Sequence, residues 1–133
     1  MADISKRLKT PARQRGDIEV ATAAYTIKDS ESGKVFVWNS ATSFNFTLPP
    51  VNKSSKGVFF HFVIRTAATG GTGHGVSPNA NDKVAGATAT AVDDKDVYFA
   101  TAGDAIGNGF TLISDGVDGW QAVNISGTLS QEA

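Results

Sequence analysis

Apolar residues in this chain recur at every second position, in short runs cut by clusters of turn-forming residues, and that period belongs to strands rather than helices. Ile18, Val20, Thr22, Ala24 and Thr26 alternate with Glu19, Ala21, Ala23, Tyr25 and Ile27 until Asp29-Ser30-Glu31-Ser32-Gly33 ends the run. Val35 to Trp38 makes a second strand closed by Asn39-Ser40. Phe44, Phe46 and Leu48 alternate through a third, which stops at Pro49-Pro50 because neither proline can donate to a ladder.

Val58-Phe59-Phe60-His61-Phe62-Val63-Ile64 is the most apolar stretch and reads as a central strand buried on both faces. A Gly-rich loop follows over residues 67–81, then a weaker Ala/Thr-rich strand or pair of strands over residues 83–92. Val97 and Phe99 restart the pattern before the Gly103 to Gly109 turn, and Phe110, Leu112 and Ile113 resume it. Asp115-Gly116-Val117-Asp118-Gly119 signals a hairpin into a closing strand, Trp120 to Ile125. About eight strands in all predict an all-β, antiparallel β-sandwich or jelly-roll-like single domain over residues 18–126. Residues 127–133 read as a loose tail.

Residues 1–17 differ in kind. They lack apolar periodicity, Pro11 opposes a continuous helix, and Lys6, Arg7, Lys9, Arg13 and Arg15 make them an extended basic arm. Residues 1–19 carry a formal +2 and the remainder −3, for a total of −1. That total opposes a general nucleic-acid binder, which must neutralise many phosphates. No stretch reaches the roughly 20 apolar residues of a membrane span, and the first ten residues lack the apolar core of a signal peptide. With no cysteine, disulfides, thiolate metal sites and cysteine nucleophiles are excluded.

The residues capable of chemistry are scattered. Asp93, Asp94 and Asp96 crowd a strand entrance, with Asp94 and Asp96 on one face and Asp93 on the other, and read as a solvated turn rather than a catalytic dyad. Asp115 and Asp118 read as turn residues, since the alternating acidic ligands and distal Glu of an EF-hand loop are missing. Thr69 to Gly75 lacks the Lys-Ser/Thr ending of a phosphate loop. His61 in a strand and His74 in a flexible loop are too few for a metal site or triad. The expectation is a non-enzymatic protein with no catalytic residues, metal or other cofactor. Trp38 and Trp120 sit in strand patterns that favour the core over an exposed sugar-stacking platform.

Tyr25 to Pro49, reading YTIKDSESGKVFVWNSATSFNFTLP, resembles a β-module of tailed-phage virion proteins. Gly57 to Thr66 resembles that module's long apolar strand, and GFTLISDGVDGWQAV from Gly109 resembles its closing hairpin. The likeness is to bacteriophage capsid decoration, or cement, proteins, and the module also occurs in tail and fibre proteins. It implies a homotrimer on the outer surface of the virion, bound to the major capsid protein and stabilising the expanded shell, without nucleic-acid or membrane partners. The arm lies outside the match, and Lys6, Arg7, Lys9, Arg13 and Arg15 are read as its capsid-binding residues. The alternative is a glycan- or receptor-binding module of a tail spike, using Trp38 or Trp120 with the Gly70 to Gly75 loop.

Overall fold

The computed structural model describes residues 17–69, 72–88, 90–100 and 104–133, so Lys6, Arg7, Lys9, Arg13 and Arg15 of the arm lie outside the described residues. Eleven strands form among the described residues: β1 (Ile18–Ala21), β2 (Tyr25–Thr26), β3 (Val35–Asn39), β4 (Asn45–Thr47), β5 (Phe59–Thr66), β6 (Gly75–Ser77), β7 (Lys83–Ala85), β8 (Val97–Phe99), β9 (Gly109–Ser114), β10 (Gly119–Ser126) and β11 (Leu129–Gln131). They make a six-stranded sheet in the order β1-β3-β5-β9-β10-β7 and a five-stranded sheet in the order β11-β8-β6-β4-β2. The all-β sandwich expected from the alternation is the fold that forms.

Its pairing is mixed rather than antiparallel throughout. The first six strands fall alternately into the two sheets, so each returns to its own sheet in the direction of the strand two places earlier. β1, β3 and β5 therefore run parallel in one layer, and β2, β4 and β6 run parallel in the other. Antiparallel ladders join β5 to β9, β9 to β10, β6 to β8 and β8 to β11. Period-2 alternation fixes which side of a strand is buried but carries no information about its partner.

The same limit explains two other differences. Residues 18–27 read as one strand but turn a corner at residues 22–24, where the chain passes from one layer to the other between Ala21, 7% exposed, and Ile27, 1% exposed. The alternation keeps its phase across the bend and so hides it. Residues 129–131, read as tail, pair with β8, with Leu129 opposite Phe99.

The layers enclose an aromatic core in which Phe36, Trp38, Phe46, Phe60, Phe62, Phe99, Phe110 and Trp120 are all buried. Phe62 sits at its centre, with ring centroids 5.3 Å from Phe110, 5.6 Å from Trp38 and 5.7 Å from Phe36 and Phe46. Each such ring contributes on the order of 1.5–3 kcal/mol by leaving water, and tilted contacts at these distances add to that. β5 supplies Phe60, Phe62 and Ile64 to the core, but Phe59, His61, Val63 and Arg65 are partly or fully exposed. The strand is buried on one face, not two.

Candidate interaction faces

The outer face of the six-stranded sheet is where a sandwich ordinarily meets water and carries polar side chains. Here the register places Ile18, Val35, His61, Thr111 and Val123 in one row and Val20, Val37 and Val63 in the next. Phe59 and Ile113 pair one rung away. Ile18 is 58% exposed, and Val20, Phe59 and Ile113 are each 37% exposed. Within this strip His61 Nδ1 and Thr111 Oγ1 are 2.8 Å apart. Gly109 completes the second row without a side chain and leaves a shallow notch of about 230 Å³ bordered by His61, Val63, Asn124 and Ser126.

The root of the arm lies at the edge of this face. Lys34 Nζ is 3.8 Å from both Asp17 and Glu19 and 3.0 Å from Glu31. Tyr25 donates its hydroxyl proton to Glu31 at 2.7 Å, and the backbone N–H of Lys28 donates to the other carboxylate oxygen at 3.0 Å. Burial is the largest single influence on Glu31 and favours its protonated form, but these donors together outweigh it and hold its pKa below the ordinary value.

The outer face of the five-stranded sheet is polar and concave. A groove of about 560 Å³ is lined by Phe44, Asn45, Thr47, Asp96, Tyr98 and Glu132 among others. Its floor is low because Gly75 stands opposite both Asn45 and Tyr98. A Cβ on Gly75 would come within 2.4 Å of the Val97 carbonyl oxygen, so this floor admits glycine alone.

The sequence candidates disperse over the body. Asp93 lies 3.7 Å from Lys83, Asp94 takes a left-handed turn conformation with φ 58°, and Asp96 enters the groove and accepts from Asn45 Nδ2 at 2.9 Å. Because Asp94 is in a turn, it does not share a strand face with Asp96. Asp118 pairs with Lys83 at 2.8 Å, and Asp115 Oδ1 accepts from the backbone N–H groups of Val117, Asp118 and Gly119. Asp115 therefore builds the hairpin turn. No group of three or more His, Cys, Asp or Glu side chains able to hold a metal ion occurs among the described residues.

Trp38 is 0% and Trp120 1% exposed, in the core as their strand patterns predict, so neither can stack on a sugar as the alternative glycan-binding reading would need. His74 differs from its sequence expectation. Instead of lying in an open loop it is 0% exposed and stacked on Trp38 at 5.8 Å and 12°. Its Nε2 lies 2.9 Å from the Ser40 carbonyl oxygen and 3.0 Å from that of Thr66, and its Nδ1 accepts from the Phe44 N–H at 3.3 Å. These partners select the Nε2–H tautomer. The groove had little to announce it in the sequence; its one local signal was Asp96 and Tyr98 two apart where a short strand begins.

No protein family, curated protein or solved structure matches this chain.

Proposed function

We propose that this chain is a non-enzymatic structural protein of a tailed-bacteriophage virion, a decoration protein bound to the outer capsid surface. In this reading copies meet through the outer face of the six-stranded sheet to form a homotrimer, and the basic arm holds the assembly to the major capsid protein. The observation that carries it is the apolar strip of Ile18, Val20, Val35, Val63, Phe59 and Ile113, which leaves Ile18 58% exposed on a face that water would otherwise wet. A face with no charged side chain in these rows is suited to another apolar face, and copies of the chain supply one.

Each trimer would engage a shell through several linked contacts, so that individually modest contacts hold it firmly. Lys6, Arg7, Lys9, Arg13 and Arg15 would supply the salt-sensitive part of that attachment. Light scattering of the full chain and occupancy on purified capsids test the two halves. The expected results are a mass three times that of one chain and loss of occupancy on deleting residues 1–16. A monomer at all concentrations refutes the assembly half, and unchanged occupancy of the deletion at low and high salt refutes the arm half.

A further inference from the structure

The lining of the groove on the five-stranded sheet is acidic, with Lys95 at its rim, where Nζ donates to the Ala133 oxygen at 2.7 Å. Asp96 and Glu132 line it, and no lysine or arginine does. Asp96 Oδ2 accepts from Asn45 Nδ2, and Glu132 Oε1 accepts from the Asp96 N–H at 3.1 Å. Among the described residues the second oxygen of each carboxylate has no hydrogen-bond partner. Beside them stands the ring of Tyr98, partly exposed, with Phe44 across the glycine floor. Two carboxylates with spare acceptor positions next to an aromatic ring suit a guanidinium, whose planar fork bonds carboxylate oxygens and whose face stacks on rings. A neutral polyol would require no such charge.

The sequence holds a matching segment. Residues 1–16 carry Lys6, Arg7, Lys9, Arg13 and Arg15 against Asp3, a formal +4. The remaining residues then carry −1 − 4 = −5 of the total of −1. The arm joins the body at Asp17, at the start of β1 on the opposite layer from the groove. From Asp17 the eleven residues back to Lys6 extend to roughly 35 Å, about the width of a body this size. The basic residues can therefore reach a sandwich packed beside their own.

We propose that the acidic groove receives the basic arm, residues 6–15, of a neighbouring copy, linking copies by exchange of arms. This rests on the assembly reading above and gives the arm a contact with a neighbouring copy beside its attachment to the coat protein. Zero-length carbodiimide coupling joins lysine to carboxylate only at contact, so it tests this on the full chain, with ordinary and ¹⁵N-labelled protein mixed equally. The expected products are mixed-isotope links from Lys6 or Lys9 to Asp96 or Glu132, reduced about tenfold in an Asp96→Asn, Glu132→Gln variant and by salt near roughly 0.5 M. Links between Lys83 and Asp118 and between Lys34 and Glu31 report that the fold is intact. The proposal is overturned if those control links form while the arm lysines couple only within one chain, couple elsewhere or do not couple. Tyr98-dependent binding of an oligosaccharide, unaffected by deleting the arm, would equally overturn it. If arm deletion still removes capsid occupancy in those cases, the arm acts on the coat protein and only the exchange is lost.

Discussion

Replacing His74 by Phe separates what its ring does by packing from what its nitrogens do by hydrogen bonding. The substitution keeps an aromatic ring in the stack with Trp38 and Phe44 but deprives the Ser40 and Thr66 carbonyls of a donor and the Phe44 N–H of an acceptor. At about 1 kcal/mol net per bond, the loss is about 3 kcal/mol. For a domain of this size that lowers Tm by about 12 °C, at about 4 °C per kcal/mol. His74→Ala also gives up the ring contacts, but the space it opens admits water to the same polar groups, so its cost stays within about 1 kcal/mol of the Phe variant. Urea denaturation followed by tryptophan fluorescence, at fixed protein concentration, measures both. The reasoning is refuted if His74→Phe falls within about 0.5 kcal/mol of the parent, since the histidine would then be only a core-filling ring.

The geometry sets three further outcomes. Ile18→Lys with Val20→Lys, on an edge strand and exposed, should lower self-association at least about tenfold in light scattering while changing monomer stability by less than about 1 kcal/mol. Gly109→Ala should cost about 3 kcal/mol or more in the same urea assay, because its Cβ would meet the Phe62 carbonyl oxygen at the central β5–β9 ladder, where backbone must move. Glu31→Gln should cost about 1–2 kcal/mol at neutral pH. The folded-state pKa of Glu31 is lowered, so its carboxylate stabilises the fold above the unfolded value and this contribution is lost as pH falls through the folded one. Stability curves of parent and variant should accordingly converge in acid, and a gap that persists below about pH 2 contradicts that account.

The parts of the fold legible in the sequence are those that short-range chemistry determines. Turn residues placed the corner after Ile27, and Asp115 with Gly116, at φ 76°, marked the β9–β10 hairpin. The core was legible as well, because aromatic residues at alternate positions have one apolar layer to enter. Partner choice was not legible: nothing in residues 18–27 distinguishes a long strand from two short ones in different sheets. His74 sits among glycines, a composition that reads as open loop, yet the long-range neighbours Trp38, Ser40 and Thr66 close over it. The groove depends on β8 crossing beside β6, a juxtaposition of residues far apart in the chain. Asp96 consequently read as an ordinary turn acid, and Glu132 fell in the segment read as a loose tail.

The parallel arrangement of β1, β3 and β5 has a mechanical consequence. Any chain segment that pulls on Asp17 along the axis of β1 loads the four rungs of the β1–β3 ladder together, in shear, because their hydrogen bonds lie across the pull. The force then passes in the same geometry to β5, whose rungs with β3 flank the aromatic centre. Pulled sideways, the same edge strand would open one bond at a time. Lys34, bridging Asp17, Glu19 and Glu31, sits where such peeling would begin and ties the first rung to the neighbouring loop. A body held by its arm would thus be strong in one direction of tension and weak in another, which makes the angle at which the arm leaves the sheet a property open to selection.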